Sequence, residues 1–229
     1  MRLDVSCLAF SGFFLREPDW VAIAARVARF ACVDALRDDP ALDYARYLDE
    51  ARRALLDLPP PYLILGHSFG AMPARSLARR LAGHDARLAM IAGLVPEDRQ
   101  SATEAYAASG QAAMAEHCRL DLLHGRIELV DARPFAQQLF APNTVPQDWT
   151  PARFEPLALV MESPPGGQVA CPCHYVVCAH DAVAEEAAQL AFAARAGAAL
   201  LRHGGGHLGP LRDARWLDAV CKGWAARVE

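Results

Sequence analysis

Three polar side chains lie along the sequence in an order that suits acyl transfer. Ser68 sits in "GHSFG", between the apolar run "YLIL" and the helix-period segment "AMPARSLARRLA". A serine hydroxyl is a weak nucleophile that needs a base, normally a histidine held by a carboxylate. A strand, a sharp turn and a helix around the serine lift its hydroxyl above a sheet at a helix N-terminus. Gly66 and Gly70 then have a steric reason to flank it, since the serine backbone is strained in such a turn and larger side chains collide there. Pro73 falls early in the helix, where backbone amides have no intrahelical partner.

In folds built on such an elbow the acid and then the base follow the serine along the chain. Asp181 directly follows the apolar run "CHYVVCA" and is the predicted acid; Asp98, after "MIAGLVPE", occupies the same edge one strand earlier and is the runner-up. "RHGGGHLG" offers two histidines. His203 closes a strand and reads as structural, whereas His207 lies beyond three glycines in a loop free to reach Ser68, so it is the predicted base. His84, His117, His124, His174 and His180 read as surface or capping residues. The letters "HGGG" at 203–206 resemble an oxyanion-hole motif of some lipases, but that motif precedes its serine and this one follows it. The upstream loop is "FSGFFLREPDW", so the backbone amides of Phe13 and Phe69 are the predicted oxyanion donors.

Six short apolar runs must carry these residues: 6–12, 29–36, 62–66, 87–94, 173–179 and 198–203. They are continuous rather than alternating, as parallel strands covered on both faces require. Helical periods separate them in "DWVAIAARVAR", "DYARYLDEARRALLDL", "FGAMPARSLARRLAGH" and the C-terminal "LRDARWLDAVCKGWAARV". The expected fold class is therefore α/β, a mostly parallel sheet of about six strands with helices on both faces. The rhythm breaks between Glu97 and Gln168, where a helical stretch "ATEAYAASGQAAMAEHCR", a small strand "RIELVD" and a helix near "RPFAQQLF" are expected. The domain reading is a core of residues 1–96 and 169–229 with a cap insertion at 97–168 over the sheet's C-terminal edge, where ligands bind in open α/β sheets. Met114, Leu139, Phe140, Trp149 and Phe154 are candidates for an acyl pocket or for the cap's own core.

With elbow, acid and base placed, the chain resembles an α/β-hydrolase from first strand to last helix. "IAGLVPEDRQSATEAY" and "YVVCAHDAVAEEAAQLAFAARAGAALLRHGGGH" resemble segments of the plant methylesterase and hydroxynitrile lyase family and its bacterial esterase relatives. That resemblance implies a triad at Ser68, Asp181 and His207 and a small cap over an apolar pocket. The sequence departs from it at Ser11–Gly12, where a His-Gly pair is usual. Lyase members carry a Thr where Gly12 stands and a Lys where Leu208 stands, so cyanide chemistry is not expected. "GHSFGAMPARSLARRLAG" also resembles the elbow of editing thioesterases of polyketide and peptide synthases, whose first loop is richer in glycine.

Composition bounds the partners. The chain has 229 residues, 53% of them hydrophobic, and a formal charge of −4. No basic stripe tracks phosphates, so no nucleic-acid partner is expected. The N-terminal run reads as a strand rather than a signal peptide or spanning helix, so no membrane partner is expected. Seven cysteines without framework spacing suit a reducing cytoplasm. Cys171, Cys173, His174, Cys178 and His180 invite a zinc reading, but a strand through Tyr175–Cys178 sends neighbouring side chains to opposite faces. The expectation is a serine hydrolase of small apolar carboxylic esters that needs no cofactor and works through an acyl-enzyme. Three alternatives stand beside it: a thioesterase with an acyl carrier protein or CoA as partner, a non-catalytic binding relative, and carbon-carbon or lactone chemistry on the same residues.

Overall fold

The computed structural model of the protein describes residues 2–109, 112–164 and 167–225. The main sheet holds β1 (Leu3–Phe10), β2 (Val27–Cys32), β3 (Tyr62–His67), β4 (Ala86–Ile91), β8 (Cys173–Cys178) and β9 (Ala199–His203). Its order is β2-β1-β3-β4-β8-β9 and every pair is parallel. β3 and β4 are buried at every residue, which is why their sequences run apolar without alternation.

Two apolar layers sandwich the sheet. On one side Leu8, Phe10, Ile64, Leu88 and Tyr175 pack with Tyr47, Leu48 and Leu55 of α2 (Tyr44–Leu56) and Leu77 of α3 (Ala71–Arg80). α7 (Glu186–Ala196) joins this side through Phe192 and Ala193. On the other, Cys7, Leu63, Leu65 and Val176 pack with Leu217, Cys221 and Trp224 of α8 (Ala214–Ala225). Asp43 caps α2 by accepting from the Arg46 amide, one reason that helix starts there.

The segment read as a helix at 19–29 contributes only the one-turn α1 (Val21–Ala24), because Val27 already pairs with Leu3 in the sheet. Pairing with β1 overrides the helical propensity of this alanine-rich stretch.

Between β4 and β8 the chain leaves the main sheet. α4 (Ala102–Ala108), α5 (Ala132–Phe140) and α6 (Leu157–Met161) accompany a separate antiparallel sheet, β5 (Cys118–Asp121), β6 (Arg126–Leu129) and β7 (Phe154–Pro156). α4 opens with a capping box in which Ser101 and Glu104 satisfy each other's backbone amides. The expected small strand is β6, but two partners beside it differ from expectation. Cys118 and Arg119, read as the end of a helix, pair with Leu129 and Glu128, and Phe154–Pro156, read as loop, pairs with Arg126–Glu128. No described helix is long and apolar enough to cross a membrane.

Candidate active site

The turn after β3 has the geometry that its glycines imply. Ser68 adopts φ +53°, a left-handed conformation that non-glycine residues rarely hold. A Cβ on Gly70 would lie 2.0 Å from the Phe10 carbonyl oxygen, and one on Gly66 would lie 2.5 Å from the Ala71 Cα. Neither approach is open to a larger residue, so β1, β3 and α3 close around the serine only with glycine at both positions.

Asp181 lies just beyond β8 and His207 beyond β9, so both come to the same sheet edge as Ser68. His207 Nδ1 and Asp181 Oδ2 are 2.7 Å apart, and both side chains are buried. The same carboxylate accepts the amides of Val183 and Ala184 at 2.7 and 2.9 Å. Burial works to raise the Asp181 pKa, but His207 and these amides outweigh it and hold the carboxyl below its ordinary range. Asp98, the runner-up, is exposed in the turn after β4.

The far nitrogen of His207, Nε2, is buried and has no hydrogen-bond partner among the described residues. Ser68 Oγ instead meets the hydroxyl of Tyr106 on α4 at 3.2 Å. The structure therefore brings Asp181 and His207 into contact and leaves the serine hydrogen-bonded to a residue that no sequence signal singled out.

His67 packs edge-on against His207, with ring centroids 4.6 Å apart, and its Nε2 lies 3.0 Å from the His207 carbonyl oxygen. Burial, with His207 beside it, pushes the His67 pKa down to about 3, so the ring is neutral and fixes the His207 backbone. His203 is structural: its Nδ1 accepts the Gly205 amide at 2.9 Å and its ring meets Trp216 edge-on. Gly206 serves close approach, since a Cβ there would lie 1.7 Å from the Ala141 carbonyl oxygen.

The first loop is held from beneath by a buried ion network. The Arg37 guanidinium donates to the carbonyls of Ser11 and Gly12 at 3.0 and 2.9 Å, to Asp34 at 3.2 Å and to both oxygens of Glu155. Glu155 also accepts the Phe14 amide at 2.6 Å and Arg16 Nη1 at 3.0 Å. Burial alone lowers an arginine's pKa, but the Glu155 and Asp34 carboxylates more than reverse that for Arg37. Ser11, where a histidine was expected from the resemblance, donates to Asp34 and accepts Trp20 Nε1 at 2.7 Å.

Phe13, whose amide is a predicted oxyanion donor, stands in this loop with its ring stacked on Phe69 at 4.3 Å. A cavity of about 290 Å3 opens above Ser68 and His207, walled mostly by apolar side chains that include Phe13, Phe14, Leu15, Phe135, Leu139 and Val183. Tyr106, Cys118, Ile127 and Val160 complete it from the segment between β4 and β8. Of the side chains proposed for an acyl pocket, Leu139 lines this cavity. Phe140 and Trp149 instead pack edge-on against each other at 5.2 Å, and Phe154 lies under the Arg126 guanidinium. The Met114 side chain lies outside what the structure describes. Leu208, at the position of the lyases' lysine, is buried and apolar. Among the described residues, no group of three or more His, Cys, Asp and Glu side chains is placed to hold a metal.

Comparison with known proteins fits this geometry. No curated protein sequence matches the chain. Among solved structures, a pyrethroid hydrolase from Sphingobium faniae JZ-2 superposes with a TM-score of 0.78 at 14% identity, over 96% of this chain and 97% of that one. Polyneuridine aldehyde esterase gives 0.71 at 16% identity, over 96% and 98%. An extracellular α/β-hydrolase from a Paenibacillus species gives 0.66 at 14% identity, over 98% and 100%; it shares structural and functional homology with tobacco salicylic acid binding protein 2. At these identities the likeness is one of fold. The profile of the alpha/beta hydrolase family matches residues 8–220, nearly the whole chain, and the protein belongs to that family.

Proposed function

We propose that the protein is a serine hydrolase of small, apolar carboxylic esters, with Ser68 as nucleophile, His207 as base and Asp181 as acid. The observation that carries this is the buried His207–Asp181 contact of 2.7 Å, with Nε2 of the same ring unpartnered at a cavity that Ser68 also lines. In the reaction Ser68 Oγ exchanges Tyr106 for His207 Nε2, gives up its proton to it and attacks the ester carbonyl. His207 then protonates the departing alcohol, and a water activated by the same nitrogen releases the acid from the acyl-enzyme.

The Phe13 and Phe69 amides hold the oxyanion, and Arg37 and Glu155 fix the loop that presents Phe13. Residues 97–168 act as the cap and supply one wall of the pocket. The mostly apolar walls favour apolar acyl or alcohol groups, since Glu155 is the one Asp, Glu, Lys or Arg among the described lining residues, and Arg37 and Arg16 already neutralise it. Two of the structural neighbours bear the names of an esterase and a pyrethroid hydrolase, which agrees with ester cleavage.

The test combines labelling with turnover. A fluorophosphonate should modify the protein and fail to modify Ser68→Ala, and p-nitrophenyl esters of graded chain length should be hydrolysed by the wild type alone. Labelling that persists in Ser68→Ala would refute the nucleophile. Activity on acyl thioesters with none on oxygen esters would move the substrate class to the thioesterase alternative.

A further inference from the structure

The Tyr106 hydroxyl occupies a chemically specific position. It is 3.2 Å from Ser68 Oγ, and the Phe69 amide, one of the two proposed oxyanion donors, faces the same phenolic oxygen. An acyl group bonded to Ser68 must place its carbonyl oxygen against that amide, so the phenolic oxygen stands where the substrate oxygen goes. The ring is not a loose visitor there. It packs against Phe13 at 5.7 Å, and Phe13 stacks on Phe69, so one aromatic group spans the two loops that supply the amides.

We propose that Tyr106 is a third oxyanion donor, a catalytic residue supplied by α4 to complement the amides of Phe13 and Phe69; the inference rests on the hydrolase reading above. As the carbonyl oxygen enters, it displaces the phenol by about one hydrogen-bond length, and the phenolic O–H then points at the incoming oxygen. The step is a hydrogen bond only: Tyr106 keeps its proton and no bond to it forms or breaks. Burial pushes its pKa up to about 12, against the opposing effect of Ser68 and the Phe69 amide, so the group is a neutral donor wherever His207 is a competent base. Hydrogen-bond donors aimed at developing charge in a dry site supply much of the stabilisation of such transition states.

Tyr106→Phe removes the hydroxyl and keeps the ring on Phe13. With p-nitrophenyl butyrate the expected result is a fall in kcat on the order of 100-fold with KM little changed. Inhibition by a trifluoromethyl ketone, whose adduct with Ser68 carries the oxyanion, should weaken by the same factor as kcat/KM, a correlation that a purely packing role does not produce. Unchanged kcat would reduce Tyr106 to a wall of the pocket, and increased kcat would make its hydroxyl an obstruction; either overturns the proposal. Fluorophosphonate labelling of the wild type separates the two readings. Labelling with an unaffected Tyr106→Phe sinks this inference alone, whereas a wild type that neither labels nor turns over esters sinks the hydrolase reading with it.

Discussion

Two of the buried carboxylates in this protein, Glu155 and Asp181, are handled in opposite ways. Glu155, on β7 of the small sheet, faces the permanent cations Arg37 and Arg16 and the Phe14 amide. Asp181, beyond β8 of the main sheet, faces two amides and an imidazole, which is a cation only when protonated. The Glu155 charge is balanced at all times, so it binds structure together: the small sheet to the first loop and that loop to Arg37. The Asp181 charge is fully balanced only when His207 takes up a proton, which is what a base needs its partner to favour. A buried carboxylate opposite arginine reads as architecture, and one opposite histidine at a cavity reads as chemistry.

That contrast can be broken at either end. Asp181→Asn should lower kcat about 10,000-fold, because the amide no longer selects the tautomer and orientation of His207, while changing unfolding free energy by less than about 1 kcal/mol. Ester turnover and denaturant unfolding on the same sample check both halves. Glu155→Gln should do the reverse, costing about 3 to 5 kcal/mol of stability because the buried Arg37 then keeps Asp34 alone of its two carboxylates. Replacing all three buried members, Arg37→Met and Glu155→Leu with Asp34→Asn, should recover much of that loss; equal losses in the single and triple variants would mean that the network is not what Glu155 serves.

A smaller effect tests the neutral neighbour of His207, the proposed base. His67 has an ordinary pKa of 6.5 and a folded one pushed down to about 3. Above pH 6.5 neither state is protonated there, and the group costs nothing. As pH falls from 6.5 toward 3 the unfolded chain binds a proton that the folded protein refuses, so stability should drop by about 1.4 kcal/mol per pH unit from this group. Denaturant unfolding at pH 7, 6 and 5 should show a shallower slope in His67→Gln. The smallest change expected is at the exposed Arg119–Glu128 pair of the β5–β6 hairpin, where Arg119→Ala should cost about 0 to 1 kcal/mol. A large loss there would put the small sheet's stability in its surface ions rather than in Glu155.

The central residues were legible because their signals are local or ordered along the chain. A strand, two glycines that admit close backbone approach and a following helix announced Ser68, and the positions of Asp181 and His207 in the loops after two later strands marked the shared edge. The Asp181–His207 contact follows from sheet order, which places β8 and β9 side by side. The Ala-rich run near Val21 misled because sheet pairing, which is non-local, outweighed helix propensity. β5 and β7 escaped notice for a related reason: four and three residues are too few to show a periodicity.

The sequence by itself determined the parallel sheet, since runs of buried apolar residues have only one economical arrangement, and it determined the elbow, since Gly66 and Gly70 are demanded by backbone contact. Only tertiary structure decided which polar groups meet across long stretches of chain. Arg37 and Glu155 are 118 positions apart, and Tyr106 and Ser68 are 38 apart. No propensity or spacing encodes such meetings, because they depend on how the segment between β4 and β8 packs over the sheet's edge, and that packing sets what the serine hydroxyl touches.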